Sequence, residues 1–457
     1  MSNEEPPRKR PRDLGGAAEA AASPASLEPA PFGAASRVRC PYLDTVQRQF
    51  IDFDFEKVCS VSLSNLNVYA CLVCGKFFQG RGRNTHAFTH SVQMGHHVFV
   101  NLGTCRMYCL PDNYEVVDSS LDDIVRALSP SFTPQEIPKL NYNTTLARDI
   151  FGVSYLPGFI GMNNLKQTDY VNVVVHALAH VTPLRDFFLE PHNYEHSKSQ
   201  LVHRFGELMR KIWSKHNYKS CVSPHELVQE ATVASKRRFL IGQQAEGVDF
   251  ASWLLNSLHQ GLGGTRKPGS SVIHEAFQGK VRVLTRQRKT AAVKRKEEEL
   301  RKAQGGGAEE PEAEAEDDVD DGSMVDWSRE TADVPFLVLS LEIPPTPLFK
   351  DSQGGNVIPQ VPLFDVLSKY DGSKYTDVLK AGYQQRKRYS LLSLPPFIIF
   401  HLSRFTKVTL ANVCVCAGWA FAFYEDWELA CRPVCWVAVL LLAHHPPLLS
   451  LLLRLRF

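Results

Sequence analysis

Apolar residues are spread unevenly along the chain, and the unevenness divides it before any motif is read. Residues 1–38 run from the basic cluster Arg8-Lys9-Arg10-Pro11-Arg12 into an Ala/Gly/Ser/Pro tract with almost no apolar bulk to bury, which predicts disorder. A second break spans residues 285–326: a basic part with Arg286, Arg288, Lys289, Lys294, Arg295 and Lys296, then Gly305-Gly306-Gly307, then an acidic run over 309–321. Apolar segments flank it on both sides, so it reads as an insertion looping out of one domain. Between the two breaks, Thr168 or Asp169 caps a predicted helix that runs through Val173, Ala177 and Leu178 toward Pro183. By propensity alone the valines in it suit a strand equally well. After Lys407 no amphipathic period survives, and residues 436–443 form an apolar run that His444, His445, Pro446 and Pro447 interrupt. That run falls short of the roughly 20 residues a spanning helix needs, so no membrane partner is expected.

A chain of 457 residues is about three times the usual domain size, which predicts two or more folded units. With 51 Lys+Arg against 49 Asp+Glu the formal charge is +2, which excludes binding to nucleic acid or anionic membrane through bulk electrostatics. A nucleic-acid role must be local or indirect. The N-terminus carries no apolar run after Met1, so no secretory signal is expected and the thiols should stay reduced. The cluster at residues 8–12 reads either as a nuclear import signal or as a solvated charge run.

Six of the eleven cysteines lie between Cys40 and Cys109. Cys71-Leu72-Val73-Cys74 is a turn that presents two thiolates to one ion, and imidazoles farther along the chain complete a tetrahedron suited to Zn²⁺. His86 and His90 are one helical turn apart, and the adjacent His96 and His97 point in different directions. The predicted ligands of one zinc are Cys71, Cys74, His90 and His96, with Cys40, Cys59, His86, His97, Cys105 and Cys109 as further candidates.

Cys40-Pro41-Tyr42-Leu43, Cys71-Leu72-Val73-Cys74-Gly75, Gly80-Arg81, His86-Ala87-Phe88-Thr89-His90 and His96 follow in order the pattern of the ubiquitin-protease type zinc finger. Residues 39–136 resemble that module, which implies a compact fold around one to three zincs. In many members a pocket takes the free Gly-Gly carboxylate of ubiquitin beside the arginine of a Cys-Gly-Arg triplet. Arg81 matches that arginine, so the resemblance implies Arg81 as a ubiquitin-tail contact, with a structural ion pair as the alternative. The triplet's cysteine is Gln79 here, so a second zinc site, and the tail pocket with it, are expected to be degraded.

From Gly161 the chain reads Gly-Met-Asn-Asn-Leu-Lys-Gln-Thr-Asp169-Tyr, which resembles the nucleophile box Gly-Leu-x-Asn-Leu-Gly-Asn-Thr-Cys-Tyr of ubiquitin-specific proteases. Later stretches resemble that family's further boxes: Gly247-Val248-Asp249-Phe250 with Trp253, Leu254 and Leu258; Phe277-Gln278-Gly279; Phe336 through Leu341; and Leu394 through Phe405. The last three look like strands. The resemblance implies an α+β protein, a ubiquitin-protease type zinc finger followed by an incomplete papain-like ubiquitin-specific protease fold over residues 155–407.

Asp169 stands where the catalytic cysteine belongs, and Gln167 where the oxyanion-stabilising Asn belongs. A thiol protease needs a thiolate of depressed pKa, and a carboxylate is a feeble nucleophile toward an amide. Cys221, about fifty residues on, is expected to be a small core or surface residue rather than a substitute. No Gly-His-Tyr follows Lys407, so the histidine box is expected to be missing. Residues 408–457, with Cys414, Cys416, Cys431 and Cys435, are expected to form an atypical tail that leaves sheet edges bare. With Asp169, the two-domain order resembles the splicing-associated members of the family. That implies a nuclear, non-catalytic scaffold for pre-mRNA splicing whose partners are tri-snRNP proteins, with RNA contacted indirectly and ubiquitin weakly. The alternative is a deubiquitinating hydrolase with non-standard catalytic residues.

Overall fold

The computed structural model of the chain describes residues 40–54, 56–289, 328–343, 361–380, 383–403, 406–410, 413–417 and 437–440. The basic cluster at 8–12, the acidic run at 309–321, Cys431 and Cys435 lie outside the described residues.

The first unit is an antiparallel sheet of five short strands: β1 (Val68–Cys71), β2 (Phe77–Gln79), β3 (Val98–Asn101), β4 (Met107–Cys109) and β5 (Tyr114–Val116), in the order β2-β1-β3-β4-β5. Helix α1 (His86–Met94) connects β2 to β3, and α2 (Asp122–Leu128) follows β5. Alternation puts Val68, Ala70, Val98 and Val100 on one face, where Ile124 and Leu128 of α2 cover them. It puts Tyr69, Cys71 and Phe99 on the other, against Ala87 of α1. Both faces are covered, which is why β1, β3 and β4 are buried at every position rather than at alternate ones.

A hairpin, β6 (Ala147–Arg148) and β7 (Ser154–Tyr155), leads to a helical unit of α3 (Asp169–Ala179), α4 (Thr182–Leu189), α5 (Gln200–Trp213), α6 (His225–Ala234), α7 (Gly247–Gly261) and α8 (Val272–Phe277). The helix reading of the valine-rich stretch prevails over the strand reading. Val171, Val174, Val175 and Leu178 recur at helical spacing and pack into the core with Phe188, Phe205, Phe250 and Leu254. A strand would put Val173 and Val175 on one face, yet Val173 is 45% exposed and Val175 1%. The expected cap is not made: Thr168 precedes the helix and Asp169 begins it, but neither side chain accepts from a helix N–H.

Two short strands, β8 (Gly161–Met162) and β9 (Cys221–Val222), pair in parallel beside the helices. Beyond α8 lies a four-stranded antiparallel sheet in the order β11-β10-β14-β13, with β10 at Gly279–Lys289, β11 at Ser328–Phe336, β13 at Asp371–Lys380 and β14 at Tyr383–Ser393. Three expectations are corrected here. Phe277 ends helix α8, and the strand starts at Gly279. The stretch from Phe336 to Leu341 is two elements, because the chain bends at Leu337 between β11 and β12 (Val338–Glu342). The strand after Leu394 begins only at β15 (Ile398–Ser403), which pairs in parallel with β12. Strand β10 also continues to Lys289, into the block read as insertion, because β11 pairs with it as far as Gln287 and β14 to its end.

The tail supplies β18 (Val437–Leu440), antiparallel to β15, after a hairpin of β16 (Thr406–Leu410) and β17 (Val413–Ala417). The edge of β15 is therefore covered rather than bare, since an apolar stretch of the tail can donate a ladder to it. Among the described residues no helix is long and apolar enough to cross a membrane.

An acidic strap joins the two units. Asp52 meets Lys219. Asp54 accepts from Lys211 Nζ at 2.8 Å and from the Ser223 N–H at 3.3 Å. Glu56 faces His225 at 3.7 Å, Lys57 faces Glu226 at 3.7 Å, and the Tyr218 hydroxyl donates to Asp123 at 2.9 Å.

Candidate functional site

Cys71 ends β1, and Cys74 follows it across a tight turn. Gly75 closes that turn at φ +73°, where a Cβ would come within 1.9 Å of the Phe50 carbonyl oxygen, so no side chain fits there. His90 projects from α1, and Gly95 at φ +65° ends that helix in a left-handed cap, turning the chain so that His96 comes back toward His90. Cys71 Sγ lies 3.5 Å from His96 Nδ1, Cys74 Sγ 3.4 Å from His90 Nε2, and the two imidazole nitrogens 3.1 Å apart.

A tetrahedral zinc with its usual bond lengths has S···N edges of about 3.6 Å and N···N edges of about 3.3 Å, so the donor set fits. The four donor atoms all lie within 4.8 Å of one another, and among the described residues they are the one such group of three or more His, Cys, Asp or Glu. In the metal-free pair Cys71 and Cys74 share a proton, which raises Cys71 and lowers Cys74, while burial lowers His90; thiolate and neutral imidazole are the forms a metal binds, so zinc would displace the shared proton. Phe78 stacks on His90 with ring centres 4.2 Å apart.

The other candidates stay out of this cluster. His97 approaches the Leu110 carbonyl at 2.8 Å and stacks on Tyr42. Cys59 accepts from the Val61 and Ser62 N–H groups at 3.5 and 3.4 Å, and the Ser62 hydroxyl donates to Gln79 at 2.8 Å. Hydrogen bonds thus surround Cys59 and Gln79. Arg81 lies over the Tyr108 ring at 4.1 Å and donates to Asn113 at 2.9 Å.

In the second unit the nucleophile-box segment keeps a sharp turn. Lys166 and Gln167 both adopt left-handed backbone, at φ +62° and +57°. Thr168 is buried and holds the turn from inside: its N–H donates to Asn164 Oδ1 at 3.0 Å and its hydroxyl accepts from the Leu165 N–H at 2.9 Å. This inward bonding is why Thr168 does not cap α3. Asp169 is exposed, and with the Gln244 amide nitrogen turned toward it, it accepts at 3.0 Å while the Gln167 carbonyl accepts at 3.3 Å. The Gly242 N–H also donates to the Lys166 carbonyl at 2.9 Å. Gln244 was not legible in the sequence, because its role depends on a loop about 75 residues away in the chain.

Cys221 is closer to the box than its place in the sequence suggests. It sits on β9 opposite Gly161, and the Asn163 N–H donates to the carbonyl of its neighbour Val222 at 3.0 Å. The acid-aromatic run Asp52-Phe53-Asp54-Phe55-Glu56 was the overlooked signal for the domain junction.

Residues 160–415 match the family described as ubiquitin carboxyl-terminal hydrolase, and residues 59–121 match the Zn-finger in ubiquitin-hydrolases and other protein. The chain is 47% identical over 375 residues to ubiquitin carboxyl-terminal hydrolase 39 of Mus musculus, covering 80% of this chain and 63% of that one. It is 45% identical over 370 residues to "Probable mRNA-splicing protein ubp10" of Schizosaccharomyces pombe, covering 80% and 68%. A crystal structure described as that of an essential yeast splicing factor aligns with a TM-score of 0.58 at 28% identity, over 80% of this chain and 77% of that one. The chain thus spans 63% of the length of the mouse relative. A zinc-binding finger ahead of a helical unit that opens on a nucleophile-box turn, with identity of this extent across both, places the chain in the ubiquitin carboxyl-terminal hydrolase family.

Proposed function

We propose that the protein is a non-catalytic member of its family that serves pre-mRNA splicing in the nucleus as a scaffold, with tri-snRNP proteins as its partners. Asp169 carries this reading. The left-handed turn at Lys166 and Gln167 supports aligning Asp169 with the nucleophile, and a carboxylate there cannot form the thioester through which a cysteine hydrolase turns over. The Gln244 amide donates to that carboxylate, and an amide cannot accept a proton as the base of a catalytic centre must. The names of the yeast relatives, a splicing protein and a splicing factor, support the cellular role.

In the same reading Cys71, Cys74, His90 and His96 hold one zinc. Four protein donors close the tetrahedron, so the ion supplies a cross-link between β1, its turn and α1 rather than a site for substrate. Arg81, engaged with Tyr108 and Asn113, stiffens the finger, and ubiquitin is at most a weak ligand there.

The test is incubation of the purified chain with ubiquitin carrying a thiol-reactive C-terminal warhead, alongside a ubiquitin-amide substrate. No covalent adduct and no turnover are expected. Labelling at Cys221 together with turnover would establish the hydrolase alternative instead, and that residue is the one to map because it lies opposite Gly161.

A further inference from the structure

The four-stranded sheet has two unlike faces. Val281, Val283, Tyr389 and Leu391 point inward and pack with Leu339, Leu341 and Tyr370. Alternation sends Arg282, Arg286, Arg386 and Arg388 to the opposite face, and pairing puts Arg329 of β11 there too. Arg286 stands directly across from Arg329 on one neighbouring strand and from Arg386 on the other, so three guanidinium-bearing residues form one row across three strands.

Like charges opposite one another destabilise a sheet, and adjacent strands are only about 4.8 Å apart. Carboxylates relieve part of this: Asp333 pairs with Arg282 at 2.8 Å and Asp377 with Arg386 at 3.0 Å. Arg286, Arg329 and Arg388 have no carboxylate partner among the described residues. Instead the Arg286 and Arg388 guanidiniums lie over the Tyr375 ring at 5.0 and 5.3 Å, a contact that orients both while leaving their charge uncancelled. The Nε of Arg286 is buried there without a hydrogen-bond partner.

A surplus of oriented guanidiniums matches phosphate, which they bind in pairs of parallel hydrogen bonds. The extent of the face favours a polymer over a small anion, since the rows from Arg282 to Arg286 run about 13 Å along the strand. Its composition favours nucleic acid over protein. A protein interface needs a desolvated apolar centre, whereas this face offers Leu284 set among arginines, with Thr331 and Ser390 in the neighbouring positions. We infer that this face of the sheet binds the phosphate backbone of single-stranded RNA. The inference goes beyond the scaffold reading: the arginine geometry carries phosphate binding by itself, and only the choice of RNA over DNA rests on that reading. It also locates a direct RNA contact where bulk charge predicts none.

The test is fluorescence anisotropy of the full chain with labelled oligouridine between 50 and 200 mM salt. The triple variant Arg286→Gln, Arg329→Gln, Arg388→Gln is expected to bind about tenfold more weakly at low salt, with a log-log salt slope shallower by about 2. The corresponding triple Lys variant should keep most of the affinity, and a control with Arg83, Arg266 and Lys267 changed to Gln should match the wild type. If the triple Gln variant loses its circular-dichroism signature of folding, Arg329→Gln alone, at an exposed position on the edge strand, should still make the slope shallower by about 0.7. Equal binding by wild type and a folded triple Gln variant, or an equal loss in the control, would overturn the inference. So would binding of polyglutamate without binding of RNA, which would assign the face to an acidic protein.

Discussion

Lys166 occupies the place where the family's nucleophile box has glycine, and it pays in backbone strain. A non-glycine residue in left-handed conformation costs about 1–2 kcal/mol, while glycine loses about 0.4–1 kcal/mol more through the entropy of the unfolded chain. The first term is larger, so Lys166→Gly should stabilise the protein by about 0.5–1 kcal/mol in urea titration. A fall in stability would mean the lysine side chain does something beyond tolerating its angle. Gly75 behaves in the opposite way. Gly75→Ala drives a Cβ into the Phe50 carbonyl oxygen and should unfold the finger or lower its zinc content, as metal analysis of the purified chain will show. The cluster of Cys71, Cys74, His90 and His96 was legible in the sequence because the Cys-x2-Cys turn and the helical step from His86 to His90 are local patterns. Lys166, Gln167 and Gln244 were not, because a left-handed angle and a partner about 75 residues distant come from tertiary structure.

Among the elements, the acidic strap decides how the finger and helical unit stay together. Lys211 is 15% and Asp54 20% exposed, so removing the ammonium leaves a mostly buried carboxylate with the long Ser223 N–H bond as its remaining partner. Lys211→Ala should cost about 2–4 kcal/mol, and Lys219→Ala, at a 42% exposed lysine, about 1 kcal/mol or less. Equal costs would show that burial does not set the strength of this junction.

The junction should also be acid-labile. Burial opposes ionisation of Glu207, but Lys57 of the finger and Arg204 outweigh it and hold the carboxyl down at about 2. Burial likewise opposes Asp123, and the Arg48 and Tyr218 hydrogen bonds hold it below the usual range. A carboxyl with a depressed folded pKa stabilises above its unfolded value and loses that contribution as pH falls through the folded one. Stability measured by thermal melting should therefore drop from about pH 4.5 toward 2, and Glu207→Gln should flatten the decline. The strand-or-helix ambiguity over the valines ends for a reason at this scale too: burial of Val171, Val174, Val175 and Leu178 on one stripe outweighs β-propensity. The tail's pairing with β15 had no sequence signal, since an apolar run does not name the strand it will meet.

For the molecule as a whole, a finger with a zinc-type donor cluster is clamped to a hydrolase-family domain whose nucleophile-box turn ends on a carboxylate. On the proposed reading such an arrangement presents surfaces rather than chemistry; its order of domains was readable from motifs, while the clamp and the arginine face were not. Periodicity and resemblance locate elements; which charges meet across them depends on register, as the row of Arg329, Arg286 and Arg386 illustrates. The most direct measurement is affinity purification of the tagged full chain from nuclear extract, with identification of the proteins and RNAs that accompany it. Co-purification of tri-snRNP proteins, unchanged in the Asp169→Ala variant, is the predicted result. Recovery of ubiquitinated proteins without any splicing component would contradict it.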